Sequence, residues 1–266
     1  MKKLIQRLKT RSTLLVLLAC VLVVVISVGG TIAYFSGGDE VKNTLSIGKV
    51  EISLDEPGWE PEKGLEMRPG GRADKDPTVT AVDGDSYMRI KMEIVDGEGN
   101  LLTDEDRLAL ILQTLWYDKD NYLPDGEKYT QAELQQMVED SKIDVEFNKE
   151  QFAFAGTQEG KPAVRYYHYI ANGGIFSKEN GAAILFTDMV IPTDWHNEKL
   201  FALSGDSYTV SENGVVEITQ KGTGYKIILS AEAIQAAEME SAEEAFAALD
   251  DATGIIRDTS GIGQEG

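Results

Sequence analysis

The chain of 266 residues carries 25 Lys and Arg against 45 Asp and Glu, a formal net charge of −20, with one Cys and two His. A lone cysteine excludes an intrachain disulfide framework, an acidic balance repels a phosphate backbone rather than binding it, and two histidines cannot build a His-rich metal centre. An apolar share of 42% with 8% aromatics suits a chain that buries a core, not an acidic disordered tail.

The charge is uneven. Lys2, Lys3, Arg7, Lys9 and Arg11 precede any acid, and the apolar run 14–28 follows them, closed by Gly29 and Gly30. Basic, apolar and small-residue regions in that order read as an export signal. The run is short of the roughly 20 residues that a spanning helix needs. Residues 1–33 are therefore predicted to be a signal peptide, cut between Ala33 and Tyr34, and residues 34–266 the secreted domain. An uncleaved single-pass anchor is the other reading of the same run. Cys20 lies inside the signal, so the cleaved chain would contain no cysteine.

Beyond the signal the pattern is mostly β. Val50, Ile52 and Leu54 alternate with polar residues, and so do Met88, Ile90, Met92 and Ile94, which predicts strands with one apolar and one wet face. Two amphipathic helices are expected in a helical insertion over 100–165: one over 104–115 with Leu108, Ile111, Leu112 and Leu115 on one side, and one opened by the capping pair Thr130 and Glu133. Further strands are expected at 166–170, at 182–191 as a central strand, and at 215–219 and 225–229, the last two joined as a hairpin through Gly222, Thr223 and Gly224. An Ala- and Glu-rich C-terminal helix is expected over 230–250, broken near Ser241. The fold class is thus all-β, a β-sandwich of jelly-roll type with a helical insertion and a C-terminal helix.

Several segments carry a resemblance. Residues 30–36 read GTIAYFS and 41–50 read VKNTLSIGKV; KDPTV at 75–79, SYMRIK at 86–91, YYHY at 166–169 and AIQA at 233–236 follow in order. This arrangement resembles the TasA/camelysin family of Gram-positive secreted proteins, exported with a SipW-type signal peptide. Residues 100–165 match that pattern poorly. The resemblance implies a protein of the cell surface or biofilm matrix, processed by a signal peptidase of SipW type. It also implies fibres in which the freed N-terminal arm of one copy adds as a strand to the next copy. The arm here is Tyr34, Phe35 and Ser36, with Phe35 as anchor and Gly37-Gly38 as hinge. The same residues can instead pack on their own domain.

Camelysin brings a second implication, a secreted metallopeptidase. The residues give it little. A zinc peptidase needs converging ligands and an open position, and no H-E-x-x-H is present. His168 falls in a Tyr-rich strand; His196 lies near Asp194 and Glu198. No catalytic residue, metal or cofactor is therefore expected. Asp83, Asp85, Asp96, Glu98 and the run Asp104, Glu105, Asp106 could supply oxygen ligands to calcium, yet they match no EF-hand spacing, and solvated turns with a helix N-terminus favoured by negative charge are the plainer reading. Trp59, Trp116 and Trp195 form no stripe. A ligand-binding surface module using 100–165 is a third reading.

Overall fold

The computed structural model describes residues 31–34, 43–47, 50–55, 68–210, 216–260 and 262. The signal region up to residue 30, Phe35, Ser36 and Trp59 lie outside the described residues. The chain runs through β1 (Thr31–Tyr34), β2 (Asn43–Ile47), β3 (Val50–Asp55), β4 (Arg72–Asp74), β5 (Thr78–Asp83) and the long β6 (Ser86–Asp96). Next come α1 (Glu105–Gln113), β7 (Leu115–Asp118), α2 (Gln131–Glu139), β8 (Ile143–Val145), β9 (Phe152–Gln158) and β10 (Lys161–Tyr169). The last part holds β11 (Ala182–Ile184), β12 (Asp188–Val190), α3 (Asn197–Ser204), β13 (Ser207–Val210), β14 (Val216–Gln220), β15 (Tyr225–Gln235), α4 (Ala242–Thr253) and β16 (Arg257–Asp258).

Six strands form the largest sheet, ordered β1-β15-β6-β10-β9-β16, all antiparallel. Two four-stranded sheets, β11-β5-β3-β2 and β4-β12-β7-β8, and a β13-β14 ribbon complete the set. The alternation in β6 explains the main core. Met88, Ile90, Met92 and Ile94 are fully buried and share one cluster with Ile227 and Leu229 of β15 and with Ile52, Leu54 and Val79 of the second sheet. Each such side chain contributes roughly 1.5–3 kcal/mol by leaving water. The fold is accordingly mostly β and sandwich-like, with helices at its margins. Among the described residues no helix is long and apolar enough to cross a membrane.

Three helices start at a side-chain cap. Asp104 caps α1 by accepting the Arg107 N–H at 3.0 Å, and Leu108, Ile111 and Leu112 turn inward. Thr130 and Glu133 make the reciprocal capping box of α2. Ser241 caps α4 by accepting from Glu244 N, and Gly254 ends it in the left-handed region at φ 70.

Several expectations need correction. Residues 230–235 are strand, not helix: they continue β15 opposite β6 as far as Gln235↔Ser86, and the helix begins only at Ala242. The backbone groups of the β6 half 86–91 need partners there, and that need outweighs the helix propensity of an Ala-rich stretch. The insertion is not a separate helical unit. Its last part forms β9 and most of β10, which belong to the six-stranded sheet, while β7 and β8 belong to another. The stretch 182–191 is two short strands: β11 on the edge of one sheet and β12 inside another.

The expected hairpin does not form either. β14 pairs with β13, while β15 pairs with β6 and β1. The turn residues instead dock against the end of α3. Gly222 N–H donates to Asp206 Oδ1 at 2.6 Å, and a Cβ on Gly222 would lie 2.2 Å from the Ser204 carbonyl oxygen. Gly222→Ala should therefore destabilise the protein by about 1–3 kcal/mol through overpacking against backbone, read as a lowered urea midpoint at unchanged slope. An unshifted midpoint would show that the 204–206 turn yields freely.

Candidate functional site

β1 lies on β15 in the register Thr31↔Leu229, Ile32↔Ile228, Ala33↔Ile227 and Tyr34↔Lys226. The Ala33–Tyr34 bond thus falls inside a strand at the edge of the main sheet. Ile227 and Leu229, opposite Ala33 and Thr31, are fully buried. Residues 31–34 therefore pair with their own domain.

His168 lies elsewhere, under α4. Its ring centroid is 4.9 Å from that of Phe246, and its Nε2 stands 3.3 Å from Arg257 Nη1. Arginine only donates, so Nε2 is the acceptor and the ring proton sits on Nδ1. Burial, then the Arg257 and Arg89 cations, lowers its pKa to about 3. A group this acidic is a weak base at neutral pH, and the nitrogen with a free lone pair already faces a cation. A cavity of about 440 Å³ opens beside it, walled by Phe154, Ile170, Ser241 and Arg257 among others.

The polar cluster around His168 has no sequence signal. Arg89, expected on a wet face of β6, is wholly buried. It donates through Nε to Glu232 and through Nη2 to Asp250 Oδ1 at 2.7 Å, and Asp250 in turn accepts from Arg257. The guanidinium carbon lies 4.6 Å from the Tyr166 ring centroid and 4.7 Å from that of Phe246, stacking suited to a flat cation. Burial opposes the charge of Arg89, but the hydrogen bonds and charges of Asp250 and Glu232 outweigh it and raise its pKa. Tyr166 is pushed up to about 12 by burial. What covers the supposed wet face is α4: Phe246 and Asp250 belong to it.

A second buried pair joins β4 to β12. Arg72 Nε donates to Asp188 Oδ1 at 2.7 Å, and the Thr187 hydroxyl donates to Oδ2 at 2.7 Å. Burial still dominates: the Asp188 pKa rises to about 6 despite Arg72 and Thr187.

The remaining candidates are dispersed. His196 is the exposed residue before α3 and caps nothing with its side chain; Asp194 accepts from Gln131 N–H at 3.1 Å; Glu198 sits in the first turn of α3. Asp96 accepts from the N–H groups of Glu98 and Asn100, each at 2.9 Å; burial alone would raise its pKa, yet these bonds lower it. Asp104 is spent on capping α1. Among the described residues no three His, Cys, Asp or Glu side chains converge on a metal-sized site. Trp116 is buried, and Trp195 carries Lys199 over its ring at 5.0 Å. The geometry therefore offers one arrangement with a mechanical consequence, the β1–β15 edge, and two buried ionic clusters, one holding α4 on the main sheet and one joining β4 to β12 within their sheet.

Comparison of the chain with protein-family models, with characterised proteins and with solved structures finds no match.

Proposed function

We propose that this is a secreted structural protein of a Gram-positive cell surface or biofilm matrix, with a jelly-roll sandwich as its core. It assembles head-to-tail when an N-terminal arm, freed by a SipW-type signal peptidase, joins the sheet of a neighbouring copy. The observation that carries this reading is the pairing of residues 31–34 with the edge of β15: the chain has a sheet edge that takes an extended N-terminal segment, and the expected cleavage point lies within that segment. A contact between an arm and a different surface of the next copy does not close on itself, so it propagates as a filament. The acidic charge keeps separate copies apart and soluble until strand pairing outweighs repulsion.

The secreted product 34–266 should sediment as a growing polymer over days, whereas the same protein without residues 34–38 should remain monomeric. Identical sedimentation of the two would end the fibre reading. Casein cleavage by the same product, abolished by a chelator and by His168→Gln, would favour the camelysin-type metallopeptidase instead.

A further inference from the structure

We infer that residues 226–229 of β15 form the edge that receives the arm of a second copy, and that residues 31–33 keep this edge covered until export cleavage removes them. The inference rests on the strand-donation reading above and adds where the arm lands and what holds assembly back.

On one side β15 is paired along its whole length with β6. On the other, among the described residues, it is paired at residues 226–229 by β1 alone. An unpaired edge of this kind is a template for any extended segment, and proteins cover it to avoid premature association. The cover here is cut by the event that would start assembly. Cleavage between Ala33 and Tyr34 removes Thr31, Ile32 and Ala33 and, among the described residues, leaves Tyr34 alone on this edge, opposite Lys226. One residue is not a strand. A single cut thus releases the arm and opens its receptor.

The register also sets which arm residue can meet which position of β15. Thr31 and Ala33 stand opposite Leu229 and Ile227, the fully buried file of β15. Side chains alternate with period two, so only an even shift keeps faces matched. Moving an incoming arm by two residues places Phe35 opposite Ile227 and Tyr34 opposite Ile228. A phenyl group then takes the register position opposite Ile227 that a methyl group held.

Two versions of the secreted product test this, one carrying Tyr34→Cys and the other Ile228→Cys. The only native cysteine, Cys20, leaves with the signal, and Ile228 is only half-buried, so each version carries one thiol; thermal melts verify folding. Mixed under mild oxidation, they should give a 34–228 linked heterodimer as the main product, while Tyr34→Cys with Glu217→Cys should not link. The full chains in detergent, with Cys20→Ser and the same pair, should link at least tenfold less. Filaments that grow without the 34–228 link would overturn the placement on β15 while leaving strand donation standing. Equal linking in the uncut chains would overturn the covering role. Absence of both link and filament would remove the donation reading itself.

Discussion

Asp250→Ala is expected to cost the fold about 3–5 kcal/mol, because removing one partner of a buried ion pair leaves an uncompensated charge. Asp250 is 5% exposed and bridges two arginines: Arg89 Nη2 on one oxygen and Arg257 Nε on the other. Its loss leaves Arg89 with Glu232 and no second carboxylate, under the Phe246 and Tyr166 rings. It also removes the acceptor that holds Arg257 against β9, where Arg257 Nη1 donates to the Ala155 carbonyl at 3.2 Å. Total stabilities are about 5–15 kcal/mol, so this single change would take a large share, seen as a drop in melting temperature of roughly 6–20 °C for a domain of this size. Lys142→Ala breaks an exposed pair with Asp140 at 3.6 Å and should change stability by less than about 0.5 kcal/mol. Equal effects of the two variants would mean that the cluster under α4 is hydrated and does not pin the helix.

The second large effect is a pair of opposed pH dependences. His168 is held neutral, its pKa lowered to about 3 by burial and then by Arg257 and Arg89. Unfolded, it takes a proton near its ordinary 6.5. Between those values the unfolded chain binds more protons, so the stabilisation from neutral His168 is complete above about pH 6.5 and is lost as pH falls toward 3. Asp188 behaves in the opposite sense. Burial raises it to about 6, against Arg72 and Thr187 and with Asp74 adding to the rise. Between 3.8 and about 6 the folded chain keeps a proton that the unfolded chain has lost, so stability falls as pH rises through that window. Each slope is about 1.4 kcal/mol per pH unit, and between pH 4 and 6 they offset. Relative to the parent, His168→Gln should lose about 2–3 kcal/mol more on going from pH 4 to 6, and Asp188→Asn should gain about as much. Urea titrations at pH 4, 5 and 6 read both. Curves of the two variants that run parallel to the parent would show that neither group is buried in the protonation state assigned to it.

The separation of local from non-local information is visible in particular residues. Alternation marked β3 and β6, and spacing marked α1 with its inward Leu108, Ile111 and Leu112. The Thr130–Glu133 capping box was legible outright, because donor and acceptor lie three residues apart and need nothing from the rest of the chain. Nothing local to residues 31–34 announces that they pair with β15, nearly two hundred positions away. Likewise Arg89 carries the pattern of a solvated position, and only the arrival of Glu232 and Asp250 makes its burial tolerable.

By itself the sequence determined an acidic, cysteine-poor, mostly β chain, along with the starts of α1 and α2 and the apolar faces of β3 and β6. Those properties depend on composition and on periods of two or 3.6 residues, which any short window contains. The tertiary structure decided the partners: β14 with β13 rather than β15, residues 230–235 as strand rather than helix, and β9 and β10 inside the main sheet. A backbone N–H or C=O can be satisfied by any edge that reaches it, so strand pairing is settled by which edges the whole chain leaves open and not by the residues of the strand alone.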